Sequence, residues 1–352
     1  MRLERRSASS LGWQLLSPLI AVTLAMLTAS ALFAALGHAP LQVLELLFIA
    51  PVSDAYGLSE LALKMTPLLL CATGLALCFR AGVWNIGAEG QYLAGCLVGG
   101  SVALALNSPD GPTVWYLCSA VVAGAAGGAV WAAAVALLRT RFHCSEVLTS
   151  IMLNYVALYL LLWAVGGPLK DPAGYSFPES ALLEEAMLLP PLVQGYRAHV
   201  GFAASLLALA VLWTVVSRTL LGFKISVVGD SQAAARHAGF SEHRVVWTVL
   251  LSCGALAGLA GVMTVTGPVG QLTPHLSSGY GFTAIIVVFL GRFHPLGLLL
   301  AAALLALSFI GGENLQIELG LPKSIALMFQ GLLLFFLLAT ELLTHYRLVP
   351  RE

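Results

Sequence analysis

Long apolar runs, interrupted at intervals by clusters of Gly, Pro, Arg and His, set the pattern of this chain. A helix needs about 20 apolar residues to cross the hydrocarbon of a bilayer. On that measure the sequence predicts ten spans, at about 12–37, 62–80, 84–106, 113–138, 146–166, 200–217, 245–266, 280–291, 296–311 and 324–344, the eighth and ninth being short. Arg2, Arg5 and Arg6 precede the run at 11–37, which is far longer than the ~7–15-residue apolar core of a secretory signal peptide, so an uncleaved first span is expected. The longest connecting segments, 167–199 and 218–244, are too short to hold cores of their own. Residues 1–352 therefore read as a single transmembrane domain.

Composition fits this pattern. Apolar residues make up 59% of the 352 and charged residues 10%, against ~45–50% and ~25% in a soluble domain, and the mean hydropathy is +0.90. The expected fold is all-α, a polytopic membrane protein with broken or short helices. A net charge of zero gives no sign of nucleic acid as a partner. The six cysteines, Cys71, Cys78, Cys96, Cys118, Cys144 and Cys253, form no CxxC pair and read as small buried hydrophobes. Charge distribution orients the spans, because cytoplasmic segments are enriched in Lys and Arg. With both ends inside, thirteen of the seventeen basic residues fall on the cytoplasmic side, and only Lys64, Lys170, Arg197 and Lys323 fall outside. An even number of spans with both termini cytoplasmic is the expectation.

Three stretches carry polar residues where the apolar pattern breaks. The first, GVWNIGAEGQYLAG at 82–95, places Asn85, Glu89 and Gln91 among glycines. Such breaks free backbone groups that are tolerated only against protein or a watery cavity, and a carboxylate at membrane depth needs a partner, a proton or water. A tight turn with glycine-mediated helix packing is the alternative. The second, RTLLGFKISVVGDSQAAARHAGFSEHRVV, offers Asp230 or Ser231 as an N-cap, a short alanine-rich helix at 232–238 and Gly239 as its stop. It reads as a helix on the cytoplasmic face, either solvated or small enough in its side chains to enter a partner's groove. The third, GYGFTAIIVVFLGRFHPLG at 279–297, is a short apolar run bounded by Gly, Arg, His and Pro. Interrupted segments of this sort in both halves of a chain are expected of transporters with a central pathway.

These stretches together resemble the permease subunits of bacterial ABC importers for nucleosides and related ribose-like or simple sugars, in the superfamily of branched-chain amino acid permeases. The resemblance rests on TPLLLCATGLALCFRAGVWNIGAEGQ at 66–91, SEVLTSIMLNYVALYL at 145–160, GPLKDP at 167–172, LGFKISVVGDSQAAARHAGF at 221–240, GALAGLAGVMTVTG at 254–267 and the stretch at 279–297. Trp84 stands where the family more often has Phe or Leu. The resemblance implies that the chain binds no cofactor. ATP and Mg would be used by a separate cytoplasmic ATPase, in keeping with the absence of a GxxxxGK[ST] phosphate loop. It also implies an extracytoplasmic substrate-binding protein, a second permease chain, preferably a different one so that the pair is a heterodimer, and a place in the bacterial cytoplasmic (inner) membrane.

Roles for individual residues follow from the same resemblance. Trp84, Asn85, Glu89, Gln91, Tyr280 and Phe282 are candidates for the substrate pathway, with helix capping as the other role open to Asn85 and Glu89. Gly222, Lys224, Gly229, Asp230, Ala234, Ala235, Arg236 and Gly239 are candidates for coupling to the ATPase. Arg141, Ser145 and Glu146, in the loop that also holds Arg139 and His143, are candidates for an inner gate, though a simple helix cap accounts for them too. In the 167–199 segment, ALLEEAMLL reads as a short amphipathic helix near the membrane surface, a landing site for the binding protein or a cap over the outer mouth. An ion- or proton-coupled secondary transporter with Glu89 as its ion site is the rival reading. An enzyme is not expected, since His143, His237, His243, His275 and His294 show no HExxH motif and no paired-acid spacing.

Overall fold

The computed structural model describes residues 2–5, 11–107, 113–174, 177–322 and 324–349, with side chains described for 16–107, 114–174, 177–322 and 324–340. Arg6, Lys323 and Arg351, used above to orient the spans, lie outside these residues. Seven helices among the described residues are long and apolar enough to cross a membrane. The protein is a polytopic helical membrane protein. Among the described residues, the strands form a single two-stranded ribbon, β1 (Arg2–Arg5) antiparallel to β2 (Tyr346–Val349).

The chain forms two compact units, Met1–Leu61 with Ala303–Glu352, and Ala62–Ala302. The first unit holds the ribbon and is built on α1 (Leu11–Ala35) packed against α13 (Ser324–His345). Ser17, Ala21, Ala25, Ala29 and Phe33 recur every four residues and are all buried, which gives α1 a narrow face of mostly small side chains. Thr340 Oγ1 donates to the Ser17 carbonyl at 3.3 Å. Between α1 and the start of α3 (Ala55–Arg80), where a loop was expected, lie α2 (Pro40–Leu44), a π-turn at Glu45–Ile49 and a 3-10 turn at Ala50–Val52. Asp54 Oδ1 accepts from Gly57 N–H at 2.7 Å and starts α3 seven residues before the expected span. The ninth span also outruns its expected end. α12 (Pro295–Leu319) continues through Gly311 because a side chain there would overlap the Leu47 backbone, so the glycine serves close packing instead of ending the helix.

The second unit has at its centre α4 (Ala88–Ala105), α5 (Thr113–Phe142) and α10 (Glu242–Thr264), with α6 (Glu146–Gly166) laid on α4. Glycines set their distance. A Cβ on Gly95 would collide with the Gly258 backbone, one on Gly128 with Gly254 O, one on Gly258 with Gly124 O, and one on Gly261 with Tyr92 O. Backbone thus meets backbone across all three helices, the close approach that small residues allow inside a bilayer. Around this centre lie α7 (Val200–Arg218), α8 (Leu220–Asp230), α9 (Gln232–His237) and α11 (Tyr280–Leu290).

The 167–199 segment corrects one expectation. In place of an amphipathic helix over 181–189 there is only a 3-10 turn at Glu185–Met187. The reason is a competing set of backbone partners: Ser180 N–H donates to Leu272 O, Leu183 N–H to Gly270 O and Leu189 N–H to Thr266 O. His199 closes the segment. Its Nδ1 caps α7 by accepting from Gly201 N–H at 3.0 Å, and burial pushes its imidazole down from the usual 6.5 to about 4. The unfolded imidazole takes its proton near pH 6.5 and the native one only near 4, so the stability present above 6.5 declines as pH falls through this window. At pH 5 the loss is about 2 kcal/mol. The melting temperature of the detergent-solubilised protein is expected to be lower at pH 5 than at pH 7.5, and His199→Gln to lose much of that difference. Equal pH dependence in the two proteins would remove His199 from the effect.

Candidate functional site

The site begins where α3 ends. Gly82 turns the chain with φ +69, residues 83–87 run without helix, and α4 starts at Ala88. Asn85, fully buried, organises this break: its Oδ1 accepts from Gly87 N–H at 2.9 Å, and its Nδ2 donates to Gln91 Oε1 at 3.3 Å and to Cys253 Sγ at 3.3 Å. From α6, Ser150 Oγ accepts from Ile86 N–H at 3.1 Å, while Asn154 accepts from Gly90 N–H at 2.8 Å and donates to Ile86 O at 2.9 Å. The backbone groups freed by the break are thus bonded within protein.

Glu89 lies in the first turn of α4 and is 2% exposed. Its carboxylate is turned to a second helix start. Oε1 accepts from Ser277 Oγ at 3.0 Å and Gly279 N–H at 3.1 Å, and Oε2 accepts from Gly281 N–H at 2.7 Å. Gly279 is the N-cap of α11 and Gly281 its second residue, so this one carboxylate satisfies donors that the helix leaves unpaired and opposes the positive end of its dipole. The approach is tight, since a side chain at Gly281 would overlap the backbone of Ala88 and Glu89. The structure therefore joins two short, broken segments some 190 residues apart in sequence.

The three aromatic candidates separate. Trp84 stays 51% exposed while its ring stacks on Phe289 (6.2 Å) and lies tilted over Phe79 (5.5 Å). Phe282 is 46% exposed. Tyr280 is buried edge-on against Tyr92 at 6.0 Å, so it offers no open face.

The 218–244 segment is more helical than expected, holding α8 as well as α9. Thr219 caps α8, its Oγ1 accepting from Gly222 N–H, and Ser231, not Asp230, caps α9 by accepting from Ala234 N–H. Gly239 ends α9 with φ +74. Gly222 is packed against the backbone at Val215 and Val216, and Lys224 lies over the Phe240 ring at 5.6 Å. Gly229 is pressed on the Arg80 carbonyl, and a Cβ on Gly82 would meet Gly229 Cα at 3.5 Å. The C-terminal end of α8 therefore rests on the turn that leads into 83–91. Ala234 and Arg236 are exposed, whereas Ala235, expected on an open docking face, is buried.

In the 139–146 turn, the paired cation is Arg139. Its Nη1 lies 2.9 Å from Glu146 Oε1 and its Nη2 3.9 Å from Glu242 Oε1. Arg141 is exposed, and Ser145 takes the N-cap position of α6 without a side-chain cap bond.

A family model described as "Branched-chain amino acid transport system / permease component" matches residues 57–338. The chain belongs to this permease family. It is 33% identical over 341 residues to a glucose ABC transporter permease protein of Haloferax volcanii, covering 94% of this chain and 89% of that one. It is also 31% identical over 327 residues to a guanosine ABC transporter permease protein of Bacillus subtilis, covering 92% of each chain. A nucleoside ABC transporter permease protein of Lactococcus lactis subsp. cremoris is 30% identical over 332 residues, covering 92% of this chain and 90% of that one. The permease is thus the membrane subunit of an ABC importer, a transport subunit and not an enzyme, and its family implies an ATPase and a substrate-binding protein as partners.

Several residues that build the site of this permease were not singled out from sequence: Ser150 and Asn154 on α6, and Arg139, Gln232 and Glu242 around the 139–146 turn. One signal was present. Ser150 and Asn154 are polar residues four apart in an otherwise apolar span, hence on one face of it.

Proposed function

We propose that this permease carries nucleosides, or related ribose-like and simple sugars, across the bacterial cytoplasmic membrane by alternating access, driven by ATP and Mg consumed in a separate ATPase. The observation that carries this reading is the similarity to guanosine and nucleoside permeases over nine-tenths of both chains. The glucose permease among the relatives keeps simple sugars in the range of solutes. Ten spans with both termini cytoplasmic complete the reading, α4, α11 and α13 serving beside the seven helices of spanning length and hydropathy. The ribbon that pairs the two ends of the chain supports an even number of crossings.

The geometry bears on the roles. Asn85, Glu89 and Gln91 spend their polar groups on one another, on α10 and on the start of α11, so they brace the break, and Glu89 holds no free carboxylate for a coupling ion. Solute contact falls to the exposed rings of Trp84 and Phe282, to which a base or the apolar face of a sugar would stack weakly. Release requires that weakness. The capped α9 is the element that seats in the ATPase, with Ala234 and Arg236 outward. A second, related permease chain completes the pathway.

Reconstitution tests this. Proteoliposomes holding the permease, its genomic partner permease, the ATPase and the binding protein are expected to concentrate labelled guanosine or glucose only with ATP inside the ATPase compartment. Omitting the second permease decides between homo- and heterodimer. Ala234→Trp is expected to abolish co-purification of the ATPase while leaving the melting temperature unchanged. Uptake driven by a proton or sodium gradient without ATPase would overturn the reading.

A further inference from the structure

We infer that Arg139 is the positioning residue that ties the coupling helix α9 to the turn at 83–91, acting through two carboxylates. Gln232, the first residue of α9, donates from Nε2 to Glu242 Oε1 at 2.9 Å. The same oxygen faces Arg139 Nη2 at 3.9 Å. Arg139 Nη1 donates to Glu146 Oε1 at 2.9 Å, and that oxygen also accepts from the Trp84 backbone N–H at 3.4 Å. A continuous polar relay thus runs from α9 to the residue that precedes Asn85. It crosses the starts of α10 and α6, whose first residues are Glu242 and Glu146, and the last turn of α5.

Two features mark this as a relay with a purpose beyond holding the turn together. First, its links are unequal. Arg139 makes a close bond to Glu146 on the side of the break and a long contact to Glu242, the first residue of α10, so a displacement of α9 acts first on the Gln232–Glu242 bond and reaches Arg139 through that carboxylate. Secondly, the side chains are partly open, at 15% and 18% exposure for Arg139 and Glu146 and 28% for Glu242. Its planar, many-donor guanidinium fork lets Arg139 keep one carboxylate while its hold on a second is made or lost. A second route runs beside it in the backbone, where Gly229 of α8 rests on Arg80 O. Both routes end at the same break, whose far side is held by Glu89 on α11.

The inference rests on the reading that α9 seats in the ATPase, and the test separates the two. Arg139→Gln, Arg139→Lys, Glu146→Gln and Glu242→Gln are reconstituted with ATPase, binding protein and second permease, and assayed with whichever of guanosine and glucose the wild-type complex carries. Co-purification of the ATPase and the melting temperature are expected to match wild type in Glu242→Gln and Arg139→Gln. Hydrolysis is expected to continue, while solute moved per ATP falls at least fivefold, and Arg139→Lys is expected to restore at least half of it. An unchanged ratio of solute to ATP in Glu242→Gln and Arg139→Gln overturns the inference. A loss in Arg139→Gln that follows a lowered melting temperature, with Glu242→Gln transporting normally, also overturns it, because the pair is then structural alone. Failure of the docking reading is seen separately, as normal ATPase binding and transport by Ala234→Trp.

Discussion

Gly258→Val is expected to leave almost no correctly folded permease in the membrane. Gly258 sits where α4, α5 and α10 converge, with the Gly95 side of α4 and the Gly124 and Gly128 carbonyl and amide groups of α5 all against it. A Cβ there meets the α5 backbone at Gly124 and Gly128, and backbone cannot move aside as the tip of a flexible side chain can. Overpacking of a core costs roughly 1–3 kcal/mol when side chains absorb it, and more is expected where whole helix backbones, here α5 and α10, must separate. Membrane yield and a single gel-filtration peak in mild detergent are the measurements. Gly166→Ala provides the control, since nothing lies within 4 Å of a Cβ placed there. Wild-type yield and melting temperature for Gly258→Val would show that α5 and α10 can part freely.

Glu89→Ala is expected to be the most damaging substitution that still allows the chain to fold. Three donors lose their acceptor at once: Ser277 Oγ, Gly279 N–H and Gly281 N–H. Each buried donor left unpaired costs roughly 1–3 kcal/mol, lowered wherever water enters, so a destabilisation of about 3 kcal/mol or more is the expected scale. Uptake is expected to fall at least tenfold, with the ATPase still bound through α9. Glu89→Gln is expected to be intermediate, because one amide oxygen continues to accept while the NH2 group faces a donor. Wild-type uptake by Glu89→Ala at equal expression would remove the carboxylate from the transport cycle.

What the sequence made legible was mostly local. Ser231 and Gly239 frame α9 because capping is decided by residues a few positions apart. The break at 83–87 was visible as glycines and amides inside an apolar run. What lay beyond reach was contact between distant segments. The partners of Glu89 lie 188 to 192 residues away, and no local pattern encodes them. Choosing Arg141 in place of Arg139 has a simple cause: positions two apart point to nearly opposite sides of a helix, and α5 extends past its expected end at 138 to Phe142. Ala235 was misplaced because six residues are too few for periodicity to reveal which side faces inward. The apolar and acidic alternation at 181–189 was locally sound, and the backbone of 266–272 outbid it for hydrogen bonds.

The glycine-lined convergence of α4, α5 and α10 has a mechanical consequence. Side chains store and release small displacements by changing rotamer, whereas backbone laid directly on backbone has almost no such slack. These three helices form a strut, stiff along and across its length. Strain applied at α8 and α9 finds no soft material there and passes to the non-helical 83–87 that leads into α4. A stiff beam hinged at one end turns a small push beside the hinge into a larger swing at the other.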